Sequence, residues 1–322
     1  MHKKIFGLAT ALAAMLLAVV PASAQTYPSK TVRIIVPYQA GQGTDVVARY
    51  IAERLSKALG QTFYIDNKPG AGGNIGTEAG ARATPDGYSL TMGTNGTHSM
   101  NQFLYASMSV DPGKDFAPVI LIGMLPMVIA ANPSFAPNSV AELIATAKAR
   151  PDKVDVALPS TTARMVLELL KVRTGAPLFG VPYKGSATAL TEVTGGQVQT
   201  LVDTVAAARG QITAGKLKPL GITTLKPSEL LPGVRPVAEQ GVPDFQVTGW
   251  MALYAPNGTP EPIVQLLNSE VAKILAAPET RARMLQIGVE PAGGTPGQLA
   301  QFEQNERALW GPLIKAAGLK GD

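Results

Sequence analysis

The segment Thr31-Val-Arg-Ile-Ile-Val-Pro-Tyr38, followed by Gln39-Ala-Gly-Gln-Gly-Thr-Asp45, decides the fold. Its first part is rich in β-branched residues and predicts a strand. The second part is polar and glycine-rich and predicts a loop. Val46, Val47, Tyr50, Ile51, Leu55 and Leu59 then recur at helical spacing, with Gly60 where a C-terminal cap belongs. The same order repeats outward. Phe63–Ile65 predicts a short strand, and Lys68–Asn74 a glycine-rich loop whose Asn74 caps a helix to about Ala83. Thr84–Gly87 predicts a turn, Tyr88–Met92 a strand, and Gly93–His98 a polar loop. Past about residue 125, Ser139-x-x-Glu142 forms a capping box that opens a helix through Ala149. Strands are predicted at Val154–Leu158, near Val181, and at Val198–Val205, Leu220–Thr224 and Trp250–Ala255. Helices are predicted at 163–172, 187–194, 261–275 and 279–287, with a long last helix opened by Thr295-Pro296. This alternation predicts an α/β fold of two halves, each with a largely parallel sheet. There is no tandem repeat and no low-complexity linker.

Composition agrees. The chain has 322 residues, 46% hydrophobic and 16% charged, which excludes a disordered chain. A chain this long buries roughly 75% of its unfolded surface and forms two domains by the usual size prior. It has no Cys, which excludes thiol catalysis, zinc–thiolate sites and disulfides. Met1-His-Lys-Lys4, the apolar run Ile5–Val20, Pro21 and Ala22-Ser-Ala24 together read as a cleaved secretory signal over residues 1–24. The alternative is a membrane anchor, but the run of about 16 residues is shorter than a span of roughly 20. Cleavage removes Lys3 and Lys4. The 28 Lys and Arg less these two leave 26 against 23 Asp and Glu, a net charge of about +3. No basic run marks a nucleic-acid partner.

Most catalytic motifs are missing. Gly41-Gln-Gly43 begins like a dinucleotide fingerprint but lacks the third glycine, and no ribose-binding acid follows. The stretch Gly70–Thr77 lacks the Lys of a phosphate loop. No acid cluster has metal-ligand spacing, and Asp152, Asp155, Glu303 and Glu306 read as solvated residues. His98 is the only histidine after cleavage, so an exported Ser-His-Asp hydrolase would have to use it. A locally hydrogen-bonded His98 is the bland reading. What remains are three polar loops at the C-terminal ends of predicted strands: 38–45, 93–98 and 159–162. Ligands of open α/β sheets bind there, and free N–H groups at helix starts attract anions. Gly in tight turns alone would give the same residues. Asp45 stands either as a cap or as a site residue.

The sequence resembles the Bug-type receptors, periplasmic solute-binding proteins of tripartite tricarboxylate transporters. Val36–Arg49 is similar to the first signature of that family, and Asp66-Asn-Lys-Pro-Gly-Ala-Gly-Gly-Asn-Ile-Gly76 to the second. Pro85–Tyr88, Val181–Gly185, Gly195–Val198 and Ala255–Pro260 match in family order. The resemblance implies a two-domain flytrap with a small carboxylate in the cleft, no metal, no cofactor and no catalysis. It implies a domain of residues 25–125 with 250–322, a second of 126–249, and a periplasmic monomer that hands its ligand to membrane subunits. From the first domain it implies ligand contacts by Tyr38, Gln39, Ala40, Gly41, Gln42, Gly43, Thr44 and Asp45, and by Thr94, Asn95, Thr97 and His98. From the second it implies Ser160, Thr161 and Thr162, with Lys184, Gly185 and Asp203 nearby.

Two departures stand out. Gln42 splits the adjacent glycines of the usual first signature, and the loop at 157–164 is short, with Arg164 near a position where many relatives carry His. Arg164 stands either as a surface residue or as a clamp on a second, distal carboxylate. Tyr38 and Tyr183 either wall a planar ligand or pack ordinarily. A dicarboxylate is expected, with an aromatic one such as terephthalate a candidate. A sensor presenting the same ligand to a signalling receptor, and the His98 hydrolase, are the rival functions.

Overall fold

The computed structural model describes residues 27–321, apart from 152 and 184. The predicted signal segment 1–24, Asp152 and Lys184 therefore lie outside the described residues. Strands β1 (Val32–Val36), β2 (Phe63–Asn67) and β3 (Ser89–Thr94) run parallel in the order β2–β1–β3. Beside β3 lies β9 (Thr248–Pro256), antiparallel, and beside β9 lies β4 (Phe116–Ala131), again antiparallel. A short β10 (Glu290–Gly293) also pairs with β4. The second half of the sheet holds β5 (Asp155–Leu158), parallel to both β6 (Phe179–Pro182) and β7 (Thr200–Thr204). Both β7 and β8 (Lys218–Ile222) run antiparallel to β4. The expected largely parallel sheets are thus mixed: parallel wings join through antiparallel crossing strands.

β4 is the spine. It spans 16 residues, pairs with β9 as far as Pro126, and pairs with β7 and β8 from Met127 onward. One strand therefore serves both lobes and changes partners between Pro126 and Met127. Pro126 has no N–H to give either ladder, so the interruption falls where a donor is missing anyway. The chain returns through the segment after β8, and Thr223 ties the two crossings together. Its N–H donates to Met127 O at 3.0 Å, its Oγ1 accepts from Met127 N at 3.1 Å, and Val247 N donates to Thr223 O at 3.1 Å. Thr223 is fully buried.

Helices cover the sheet much as their periodicity predicts. α1 (Gly43–Leu59) buries Val47, Ile51 and Leu55 and ends at Gly60, whose φ of 68° is the left-handed cap. α2 (Asn74–Ala81), α3 (Val140–Ala149), α4 (Thr161–Thr174) and α5 (Ser186–Thr194) follow. α6 (Val205–Thr213) begins at the last residue of the strand predicted at Val198–Val205 and is a helix the sequence reading does not predict. Helices α7 (Glu261–Ala276), α8 (Pro278–Gln286) and α9 (Pro296–Ala316) close the chain. α9 opens with the capping box of Thr295 and Gln298. Lobe 1 centres on Val32, Ile34, Val36, Val47, Ile51 and Leu253. A second cluster joins Met165, Leu169 and Phe245 to Met100, Trp310 and Ile314, so α9 packs against both lobes.

Candidate functional site: an uncharged cleft between the lobes

Between the lobes lies a cavity of about 500 Å³. Lobe 1 contributes Tyr38, Gln42, Gly43, Thr44, Thr94 and Asn95, and lobe 2 contributes Ser160, Thr162 and Thr204. The crossing strands add Leu125, Met127, Gly249, Trp250 and Met251. None of these described lining residues carries a charge.

Helix starts supply the polarity instead. Gln42, Ser160 and Thr204 are the N-cap residues of α1, α4 and α6, and all three border the cavity. Each helix N-terminus presents backbone N–H groups and a partial positive charge, stabilising a nearby anion by roughly 0.3–1 kcal/mol. The ends differ. Ser160 Oγ is spent on Ala163 N at 3.1 Å and Thr204 Oγ1 on Ala207 N at 3.2 Å. No side chain caps α1, so the N–H groups of Gly43 and Thr44 stay available. A Cβ built on Gly43 would meet nothing within 4 Å, so a side chain there would project into open space beside the cavity. The Tyr38 hydroxyl and Thr94 Oγ1 share a hydrogen bond of 2.7 Å, and burial raises the Tyr38 pKa, which keeps the phenol neutral. Asn95 Nδ2 donates to Thr162 Oγ1 at 3.1 Å, bridging the lobes directly.

Several expected contacts take other roles. Asp45 is buried and does not line the cavity. Its carboxylate accepts from Gly41 N (2.8 Å), Arg49 Nε (2.9 Å) and Asn67 Nδ2 (2.9 Å). Burial pushes that carboxyl up, but these bonds outweigh it and hold the group below its ordinary value. Gln39, Ala40, Gly41 and Thr161 are exposed beside the lining residues. Gly185 caps α5 and Asp203 is buried with Oδ1 accepting from Thr204 N at 2.7 Å; neither lines the cavity. Tyr183 bonds Glu192 and packs away from the cleft. Arg164 is exposed on the first turn of α4, outside the lining.

Thr97 and His98, also expected as contacts, do not line the cavity, because both side chains turn into the interior of lobe 1. Both are fully buried. Thr97 Oγ1 holds Thr94 N at 3.0 Å and shares a 2.9 Å bond with His98 Nδ1. The His98 ring stacks on Tyr254, with centroids 4.0 Å apart and 18° between planes. Burial and the Arg307 charge hold its pKa down at about 3, and Nε2 has no partner among the described residues. Glu303 and Glu306 are not solvated either. Glu303 accepts from Tyr254 and Arg307, while Glu306 Oε2 accepts the indole N–H groups of Trp250 and Trp310.

Sequence reading missed Thr204, Leu125, Met127 and Gly249–Met251. Thr204 was findable: it lies next to the last residue of a predicted strand, and only the unread helix α6 hid its cap. The others come from the crossing strands and carry no local signal.

A two-lobed α/β fold with an uncharged, helix-capped cleft defines a solute-binding receptor. The family model for the tripartite tricarboxylate transporter family receptor, TctC, matches residues 47–319. The chain belongs to that family of periplasmic binding proteins, which are not enzymes. It is 35% identical over 303 residues to protein BugT of Bordetella pertussis, covering 93% of each chain. The R. palustris protein Rpa4515, solved with adipate, shares 37% identity at a TM-score of 0.77, over 91% of this chain and 99% of that one. MatC from Rhodopseudomonas palustris, solved with bound malate, shares 33% identity at a TM-score of 0.71, over 89% and 100%. Among the described residues no helix is long and apolar enough to cross a membrane, and no cluster of His, Asp or Glu could hold a metal ion.

Proposed function

We propose that this receptor binds a small dicarboxylate in the interlobe cleft and delivers it to the membrane subunits of a tripartite transporter. The lobes that close on it are residues 25–125 with 250–322, and 126–249. The carrying observation is the ring of three helix N-termini around a cavity without charged side chains. Carboxylates suit such a site, because N–H groups and hydroxyls can meet their charge without a cation. Adipate and malate, held by two relatives, are both dicarboxylates. The apolar border of Leu125, Met127 and Met251 favours a ligand with a hydrocarbon body, of which terephthalate is the aromatic form.

The test is a thermal-shift screen of the mature protein against mono-, di- and tricarboxylates, aliphatic and aromatic. A ligand at 100 times its dissociation constant stabilises the fold by about 2.7 kcal/mol. Dicarboxylates should raise Tm and tricarboxylates should not. A shift confined to tricarboxylates, or none after unfolding and refolding to release any carried ligand, would overturn the reading.

A further inference from the structure

The loop that presents Gly43 and Thr44 to the cavity is held from behind. β2 ends at Asn67, which pairs in parallel register with Val36, the last residue of β1. That register puts the Asn67 side chain beside the chain leaving β1. Its Nδ2 donates to Tyr38 O at 3.0 Å and to Asp45 Oδ1 at 2.9 Å. Its Oδ1 accepts from Arg49 Nη2 at 3.0 Å. Arg49 Nε in turn reaches Asp45 Oδ2 at 2.9 Å, and the same oxygen accepts from Gly41 N at 2.8 Å. Asn67, Asp45 and Arg49 thus form a closed ring with backbone tethers at Tyr38 and Gly41. The tethers fix the loop at its start and its middle, and Asp45 fixes the first turn of α1.

The amide orientation is determined by its partners. Turned over, Oδ1 would face a carboxylate and a carbonyl, and Nδ2 would face a guanidinium. Asn67 itself is not among the residues lining the cavity. We propose that Asn67 is a positioning residue for ligand binding, holding the Gly43 and Thr44 N–H groups on the cavity without touching the ligand. This rests on the reading of the cleft as the ligand site.

Two variants test it. Asn67→Ala removes the tether to Tyr38 O and the bond that steadies Asp45, the acceptor of the Gly41 tether. Asn67→Asp keeps the shape but sets an acceptor against Tyr38 O and a negative charge against Asp45. A residue needed only for shape would tolerate Asp better than Ala, whereas a positioning donor predicts that Asp is the worse. Calorimetric titration with adipate, terephthalate and benzoate should show about tenfold weaker binding for Asn67→Ala, since roughly one well-made hydrogen bond's worth of order is lost. The factor should be the same for all three ligands, because the loop meets the carboxylate they share. Amide hydrogen exchange of the unliganded variants should quicken at Gly41, whose N–H donates to Asp45 Oδ2, with exchange in β1 and β3 unchanged. Wild-type affinity with unchanged exchange at Gly41 would overturn the proposal, as would Asp outperforming Ala. If wild type binds none of the three ligands, the carboxylate reading fails, and exchange at Gly41 still decides whether Asn67 holds the loop.

Discussion

Replacing Glu306 by leucine should loosen the junction between the last helix and the cleft. One oxygen, Glu306 Oε2, accepts Trp250 Nε1 at 2.9 Å and Trp310 Nε1 at 3.0 Å. These are the only two tryptophans of the chain, and both are fully buried. Phe302, one turn earlier on α9, meets Trp250 edge-on with centroids 5.5 Å apart. The Glu306→Leu change would strand two buried N–H donors at roughly 1–3 kcal/mol each. Part of that is returned, because burial raises the Glu306 pKa and ionising the carboxyl in place is itself costly. The expected net loss is about 2–4 kcal/mol. Glu306→Gln keeps an acceptor and should cost about 1 kcal/mol or less. The assay is urea unfolding at pH 7, comparing midpoints at equal slope, with tryptophan emission as the signal. A leucine variant no less stable than the glutamine variant would refute the reasoning.

The pH dependence has a definite sign. Glu306, Glu303 and Asp203 titrate higher when folded, chiefly through burial. The folded state therefore holds more protons than the unfolded state above the ordinary carboxylate range. Their contribution is full at low pH and is lost as pH rises through the raised values. Glu306→Gln should remove one share, so wild type minus variant stability should fall with rising pH over that window. Arg164→Ala should leave dicarboxylate affinity unchanged by calorimetry, since Arg164 is exposed outside the lining; a marked loss would revive the distal clamp. Gly76→Ala would set a Cβ 2.6 Å from Pro37 Cα and 2.7 Å from Lys68 O, both backbone atoms. It should cost roughly 1–3 kcal/mol in urea unfolding and weaken binding, because Pro37 leads into the ligand loop. Thr223→Val strands Met127 N and should cost about 1–3 kcal/mol; an unchanged midpoint would deny Thr223 its role between the crossings.

Local signals carried the wings of the fold. The β-branched run at 31–38, the helical spacing of Val47, Ile51 and Leu55, and the Thr295-Pro296 start all appear where their chemistry predicts. The spine was not legible. Phe116–Ala131 is apolar throughout, so its residues show neither alternation nor helical period, and Pro118 and Pro126 argue against a central strand. It is a strand because β9 arrives from far along the chain to pair with it. The site shows the same division. Gln42–Thr44 and Ser160 announce themselves as polar residues at strand-to-helix turns. Thr97, His98 and Asp45 look identical in sequence, but their side chains turn inward to satisfy neighbours, and one residue of strand or turn phase decides that. Asn67 sits in a recognised signature, yet its role depends on a parallel register that spacing does not encode.

The place of β9 between β3 and β4 has a consequence for how the chain assembles. Lobe 2's strands come from one uninterrupted span, from Met127 to Ile222, so its sheet can form as soon as that span is available. Lobe 1 cannot close until residues 248–256 arrive, and until then β3 and β4 both present open edges. Open apolar edges recruit other strands, so the half-made receptor is most prone to aggregation in that interval. A truncation ending before Thr248 would trap the chain there, with the strands of one lobe paired but without the cover of α9, and the other lobe unable to fold.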